Sequence, residues 1–243
     1  MKTSNPALRD SYFQDISFDV AGESMTTRGT MQKTTLSMLL LIGAALYTWN
    51  LFASGAPVGG LMLGGAIGGF IVALVTIFKR EWSPITVPIY AVLEGLFLGA
   101  VSAQYSAMFY EGIVLQAVTL TMGTALVMLV LYQSNIIPVT DKLRMGIVAA
   151  TGGIALLYLL TWVLSGFGWA VPLIHQNGLI GIGFSLLVVG VAAFNLLLDF
   201  DFIERASNQG APKYMEWFGA FGLIVTLVWL YIEFLRLLSK LRD

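Results

Sequence analysis

Residues 213–238 read KYMEWFGAFGLIVTLVWLYIEFLRLL, and this stretch decides the class of the fold. A helix needs about 20 predominantly apolar residues, rising about 1.5 Å each, to cross the hydrocarbon core of a bilayer. The stretch has that length, yet it carries a carboxylate, Glu233, among its apolar residues. It therefore predicts a transmembrane helix whose acid needs a partner inside the protein, because an ionised carboxylate in hydrocarbon costs about 2–3 kcal/mol or more.

Six further apolar stretches of similar length precede it, at roughly 34–54, 57–78, 85–107, 113–134, 145–167 and 178–203. The composition agrees, because 57% of the residues are hydrophobic and only 11% are charged, against about 25% charged in soluble domains. We therefore predict an all-α polytopic membrane protein of seven transmembrane helices. Residues 1–33 are expected to form an N-terminal tail, and residues 34–243 one transmembrane domain surrounded by the lipid bilayer.

The rarity of two residue types excludes several kinds of chemistry. The chain has no cysteine and one histidine, His175. This rules out disulfides and thiol nucleophiles, and it argues against a metal site built from His or Cys, so no cofactor is expected. The net charge of −1 gives no indication of nucleic-acid binding.

The positions of Lys and Arg predict the orientation in the membrane. Ten of the 13 basic residues lie in the tail and in the connections after helices two, four and six, whereas the connections after helices one, three and five contain none. Cytoplasmic loops carry the excess of positive charge, so we expect a cytoplasmic N-terminus. Seven spans then place the C-terminus, with Arg236, Lys240 and Arg242, on the other side.

Glycines spaced four apart, such as Gly95 and Gly99 in helix three, let helix backbones approach closely in lipid. We interpret them as packing within a single bundle, and hence a monomer, rather than as a dimer face.

Three carboxylates lie in or at the ends of the apolar stretches: Glu94, Asp199 and Glu233. Glu94 lies near the middle of helix three, where it is either a functional acid or a protonated structural group. Its depth, and the close approach that Gly95 and Gly99 permit, predict burial against helix six, with Asn195 as its partner.

Basic residues near the helix ends offer partners for the acids. Lys79 or Arg80, at the base of helix two, is expected to pair with Asp199 or Asp201 in at least one state. Asp201 and Glu204 are otherwise interpreted as a solvated helix end. Glu233 is expected to pair with Arg236, three residues on along the same helix face. Glu216, at the start of helix seven, is interpreted as a charge that complements the helix N-terminus.

Three segments together resemble the Bax inhibitor-1 (transmembrane Bax inhibitor motif) family, and in particular its bacterial YccA-like branch. They are EGLFLGA in helix three, DFDFI closing helix six, and KYMEWFGAFGLIVTLVWLYIEFLRLLSKL at the C-terminus. The resemblance implies six helices around a central seventh, a bacterial inner membrane location, and a pH-sensitive calcium leak.

The resemblance also implies roles for particular residues. An acid of helix six, here Asp199 in the pattern D-x-x-x-I, would share a proton with an acid of helix seven. A base near helix two, here Lys79 or Arg80, would compete for one of these two acids. The motif matches Glu233 as the second acid, whereas helix rise places the family's position nearer Ile224 to Thr226. The physical neighbour of Asp199 is then expected to be Glu94 or Asn195.

Three functions remain open from the sequence. The first is a cation leak, with Ca²⁺ as the permeant ion, switched by protonation of intramembrane carboxylates. The second is a membrane-embedded regulator that binds a quality-control membrane protease and transports nothing. The third, an intramembrane aspartyl protease, is disfavoured because no G-x-G-D motif is present, and a serine protease because G-x-S-G is absent. We therefore expect a protein that is not an enzyme.

Overall fold

The computed structural model describes residues 24–167 and 178–242, apart from the side chain of Trp162. Within these ranges seven helices are long and apolar enough to cross a membrane. This confirms the predicted all-α polytopic architecture. The helices are α1 (Thr27–Ala53), α2 (Gly59–Phe78), α3 (Ser83–Met108), α4 (Ile113–Gln133), α5 (Asp141–Gly166), α6 (Leu179–Asn208) and α7 (Met215–Lys240).

The first helix begins earlier than its hydropathy predicts. Thr26 caps α1, since its Oγ1 accepts a hydrogen bond of 2.9 Å from the backbone N–H of Gly29, and the polar residues that follow form the first turns. The predicted boundary between tail and membrane domain at residue 33 therefore falls inside a helix. Residues 1–23 of the predicted tail, and His175, lie outside the described residues.

The last helix occupies the centre of the bundle. In α7, 67% of the most apolar 18-residue window is buried, against at most 50% in any other candidate span. It packs against α1, α3, α4 and α6, and Ile224, Leu230 and Leu235 are fully buried. The prediction of a central seventh helix is confirmed. The end of the bundle where α7 has its first residue is called the start end, and the opposite end is called the far end.

Glycines bring α1, α2 and α3 into close contact. A Cβ at Gly95 would lie 2.3 Å from the carbonyl oxygen of Leu41, and one at Gly99 would lie 2.3 Å from that of Ala45. Gly65 of α2 packs on α3 in the same way. These glycines serve contacts within one bundle, as the sequence predicted, because any side chain there would push two backbones apart.

Candidate functional site

A cavity of about 470 Å³ contains two of the three intramembrane acids. Helices α2, α3 and α7 form most of its wall, and α6 contributes Asp199. Its lining residues are Ala66, Phe70, Ala73, Ile77, Tyr90, Glu94, Phe97, Asp199, Phe221, Gly222, Val225 and Thr226. Phe70 and Ile77 are exposed, so the cavity is open at the α2 side. We call it the acidic cavity.

Asp199 contacts the central helix over one turn. Its Oδ2 accepts a hydrogen bond of 2.6 Å from Thr226 Oγ1, and its Oδ1 lies 3.4 Å from the position that a Cβ would take at Gly222. Gly222 and Thr226 are four residues apart and therefore share a face of α7. The depth predicted for the partner of Asp199, near Thr226, is confirmed, but that partner is a hydroxyl and not a second acid.

Glu94 reaches the acidic cavity from α3 and packs on α2. Its Oε2 lies 3.0 Å from the position of a Cβ at Gly69, so only a glycine there leaves the carboxylate its full space. The prediction that Glu94 is buried against helix six is wrong, because Gly95 and Gly99 bring α3 against α1 instead. The expectation that Glu94 lies near Asp199 holds in a weaker form, since both line one cavity.

Among the described residues, the lining consists of two carboxylates, the hydroxyls of Tyr90 and Thr226, and otherwise apolar groups, and it includes no Lys or Arg. With its acids ionised, such a space is negative and attracts cations, and oxygen atoms are the ligands that Ca²⁺ prefers. Within residues 24–167 and 178–242, no three His, Cys, Asp or Glu side chains converge as a metal site would require.

Asn195 takes no part in this cavity. Its side-chain amide donates to Thr151 Oγ1 of α5 at 2.8 Å and to the carbonyl oxygen of Val191 at 2.9 Å. The predictions that it partners Glu94 or neighbours Asp199 are therefore wrong. Two neighbouring helices contact this part of α6. Asp199 contacts α7, whereas Asn195 contacts α5.

Asp201 is buried in an ion-pair cluster at the start end. Its carboxylate accepts from Arg144 Nη2 at 2.6 Å and from Arg205 Nε at 2.8 Å. The interpretation of Asp201 as a solvated helix end is wrong, because its exposed fraction is 8%.

Lys79 and Arg80 do not form the predicted pair in this structure. The guanidinium carbon of Arg80 lies 5.2 Å from the centroid of the Phe218 ring, and Asp201 has two other arginines. An ion pair of Lys79 or Arg80 with Asp199 or Asp201 in another state stays a prediction.

Glu233 lies at the far end with partners of its own. Arg236 Nη1 and the Tyr158 hydroxyl each donate to its Oε1 at 2.9 Å. The predicted pairing with Arg236 is confirmed. The position of Glu233 at the far end places it outside the lining of the acidic cavity. These hydrogen bonds join α7 to α5. They also compensate the cost of burying the charge of Glu233, which is 1% exposed.

Removal of Arg236 should destabilise the protein. Arg236→Met leaves the charge of Glu233 with Tyr158 alone, and we expect a loss of about 3 kcal/mol in the free energy of unfolding, measured by thermal unfolding in detergent. The double variant Glu233→Leu/Arg236→Met removes both charges and should recover part of this loss. Lys142→Met, which removes an exposed cation, is the control. Equal losses in the single and double variants would contradict the assignment.

One buried acid was not recognised from the sequence as an organising group. Glu216 is 0% exposed, and its Oε1 accepts from the backbone N–H and Oγ1 of Thr26 at 3.0 and 2.9 Å. Lys213 lies 3.2 Å and Lys33 3.5 Å from its carboxylate oxygens. We call this contact between the starts of α1 and α7 the Glu216 clasp. The sequence signal was an acid in the first turn of a helix, which by itself indicates only a favourable dipole interaction.

Among the described residues, six apolar helices around a central seventh, with carboxylates inside the bundle, define a polytopic α-helical membrane protein with an intramembrane acidic cavity. A family model described as Bax inhibitor 1 like matches residues 5–243. The chain belongs to this family. No curated protein matches it significantly.

Proposed function

We propose that the protein is a pH-sensitive cation leak for Ca²⁺, switched by protonation of Glu94 and Asp199. The observation that carries the proposal is the acidic cavity, where two carboxylates line one space and none of the described lining residues is basic. Family membership adds support, because the resemblance from which it was predicted implies a calcium leak.

Electrostatics gives the switch a direction. An ionised carboxylate attracts a cation and a protonated one does not, so acidification weakens cation binding in the cavity. Protonation also changes packing, because Asp199 touches α7 through Gly222 and Thr226. The second acid that the resemblance implies on helix seven is replaced at this depth by Thr226. In our proposal Glu94 supplies the missing charge from α3.

The proposal extends to the setting. The distribution of Lys and Arg supports a cytoplasmic N-terminus, which makes the start end the cytoplasmic end. The resemblance to the YccA-like branch supports the bacterial inner membrane. We also propose that the chain works as a monomer, because its closely packed glycines serve contacts within one bundle. We propose further that it is not an enzyme, because the sequence lacks the G-x-G-D motif of an intramembrane aspartyl protease.

The test is Ca²⁺ entry into liposomes that contain only the purified full chain and a trapped calcium indicator. The leak predicts entry above the level of protein-free liposomes, and a rate that changes with pH. Entry no faster than in protein-free liposomes, with the protein shown to be folded by its unfolding transition, would contradict the proposal. That result would favour a regulator that binds a membrane protease.

A further inference from the structure

A second cavity lies on the other side of α7 from the acidic cavity. It is a groove of about 220 Å³ between α1 and α4. Its floor is formed by α3 and α7, where Leu98, Val228 and Tyr231 are at most 8% exposed. The groove therefore reaches the central helix and is more than a lipid-facing surface.

The hydroxyl groups in this groove already have partners. Ser102 Oγ and the Tyr231 hydroxyl form a hydrogen bond of 2.6 Å with each other, and Thr121 Oγ1 donates to the carbonyl oxygen of Ala117 at 2.7 Å. None of the described residues that line the groove is charged. These hydroxyls therefore need no polar group from an occupant, and a lining this apolar does not favour water.

The rims of the groove face the bilayer. Ile42 and Leu46 of α1 and Val118 of α4 are all more than 40% exposed. Along α1 the groove extends from Met38 to Trp49, which is about 16 Å at the rise of a helix. Trp49 lies near the far end of α1 and is of a residue type that favours the membrane interface. The groove thus follows the direction that a lipid tail takes from that interface.

We propose that this groove binds one acyl chain of a phospholipid, whose headgroup lies at the far end near Trp49. A transmembrane helix of a second copy is about 10 Å across, and 16 Å of it would need several times the 220 Å³ present. A lipid acyl chain is slender and apolar, and such chains surround the outer face of the bundle in the membrane. The site is independent of the proposed leak, since it shares no lining residue with the acidic cavity.

The test uses the full chain in phosphatidylcholine vesicles that contain a tracer phosphatidylcholine with a diazirine halfway along one tail. After irradiation, adducts are mapped by mass spectrometry. We expect adducts on the floor residues Val228 and Tyr231 as well as on Leu126, which is 64% exposed on α4. Ile224, which is 0% exposed elsewhere on α7, should carry none.

Two variants distinguish a bound tail from general labelling. Ile42→Trp and Val118→Trp each narrow the groove from an opposite wall, and each should reduce labelling of Tyr231 to the level of Ile224. Labelling of Leu126 should not change, which also shows that the variant remains inserted. Absence of floor adducts in the unmodified chain would overturn the proposal. So would floor adducts that persist in both variants, or crosslinks between copies in place of lipid adducts.

Discussion

Gly29→Ala is expected to lower the free energy of unfolding by about 3–5 kcal/mol, the range for breaking a buried ion pair. A Cβ at this position would lie 2.0 Å from Glu216 Oε1 and 2.2 Å from its Cδ. The carboxylate has no space to retreat, because it is 0% exposed and held by Thr26 and Lys213. The new methyl group must therefore break the Glu216 clasp or separate the start of α1 from that of α7.

Gly43→Ala is the matched control for this prediction. Gly43 lies in the same helix, and a Cβ there would meet nothing within 4 Å. An alanine at that position should be neutral or stabilising by up to about 1 kcal/mol, because alanine favours helix over glycine. Thermal unfolding in one detergent compares the two variants. Equal midpoints for Gly29→Ala and Gly43→Ala would show that the clasp does not hold the helices together.

Asp199→Asn should abolish most of the pH dependence of Ca²⁺ entry into liposomes, if the proposed leak is correct. The amide keeps an oxygen that can accept the hydrogen bond from Thr226, so the size and contacts of the side chain are nearly preserved. What is lost is the ability to gain and release a proton. A variant rate that varies with pH as the wild-type rate does would show that Asp199 is not the sensor.

Three further variants make this second prediction specific. Glu94→Gln should remove the remaining pH dependence when it is combined with Asp199→Asn, because both acids line one cavity. Thr226→Val removes the hydrogen bond but keeps the titrating acid, so its rate should still respond to pH. Glu81→Gln removes an exposed acid outside the cavity and should behave as the wild type.

The sequence predicted those features that depend on distances along a helix. Seven spans followed from the lengths of the apolar stretches. The depth of Thr226 opposite Asp199 followed from a rise of about 1.5 Å per residue. The Glu233–Arg236 pair followed from a spacing of three. Span lengths and the Glu233–Arg236 spacing depend on one helix alone. The depth comparison between Asp199 and Thr226 needs only a common membrane boundary from which residues are counted along each helix.

The sequence did not predict which helix each face meets. The spacing of Gly95 and Gly99 indicated a close approach, but nothing in it distinguished α1 from α6. The burial of Asp201 depends on Arg144, which is 57 residues away on α5. The Glu216 clasp joins residues 190 positions apart in the chain. Such pairings depend on the arrangement of all seven helices, which periodicity within one helix does not record.

The central claim is that cations pass through the acidic cavity, and the absence of cysteine from the chain permits a direct test. Ala73→Cys places the only thiol in the cavity lining, and Val127→Cys places it on the lipid-facing side of α4, where residue 127 is 57% exposed. Ca²⁺ entry is measured in liposomes before and after treatment with a cationic methanethiosulfonate reagent. The account predicts that treatment inhibits the Ala73→Cys protein and leaves the Val127→Cys protein unchanged. Undiminished Ca²⁺ entry through Ala73→Cys protein that is shown to be fully modified would contradict it.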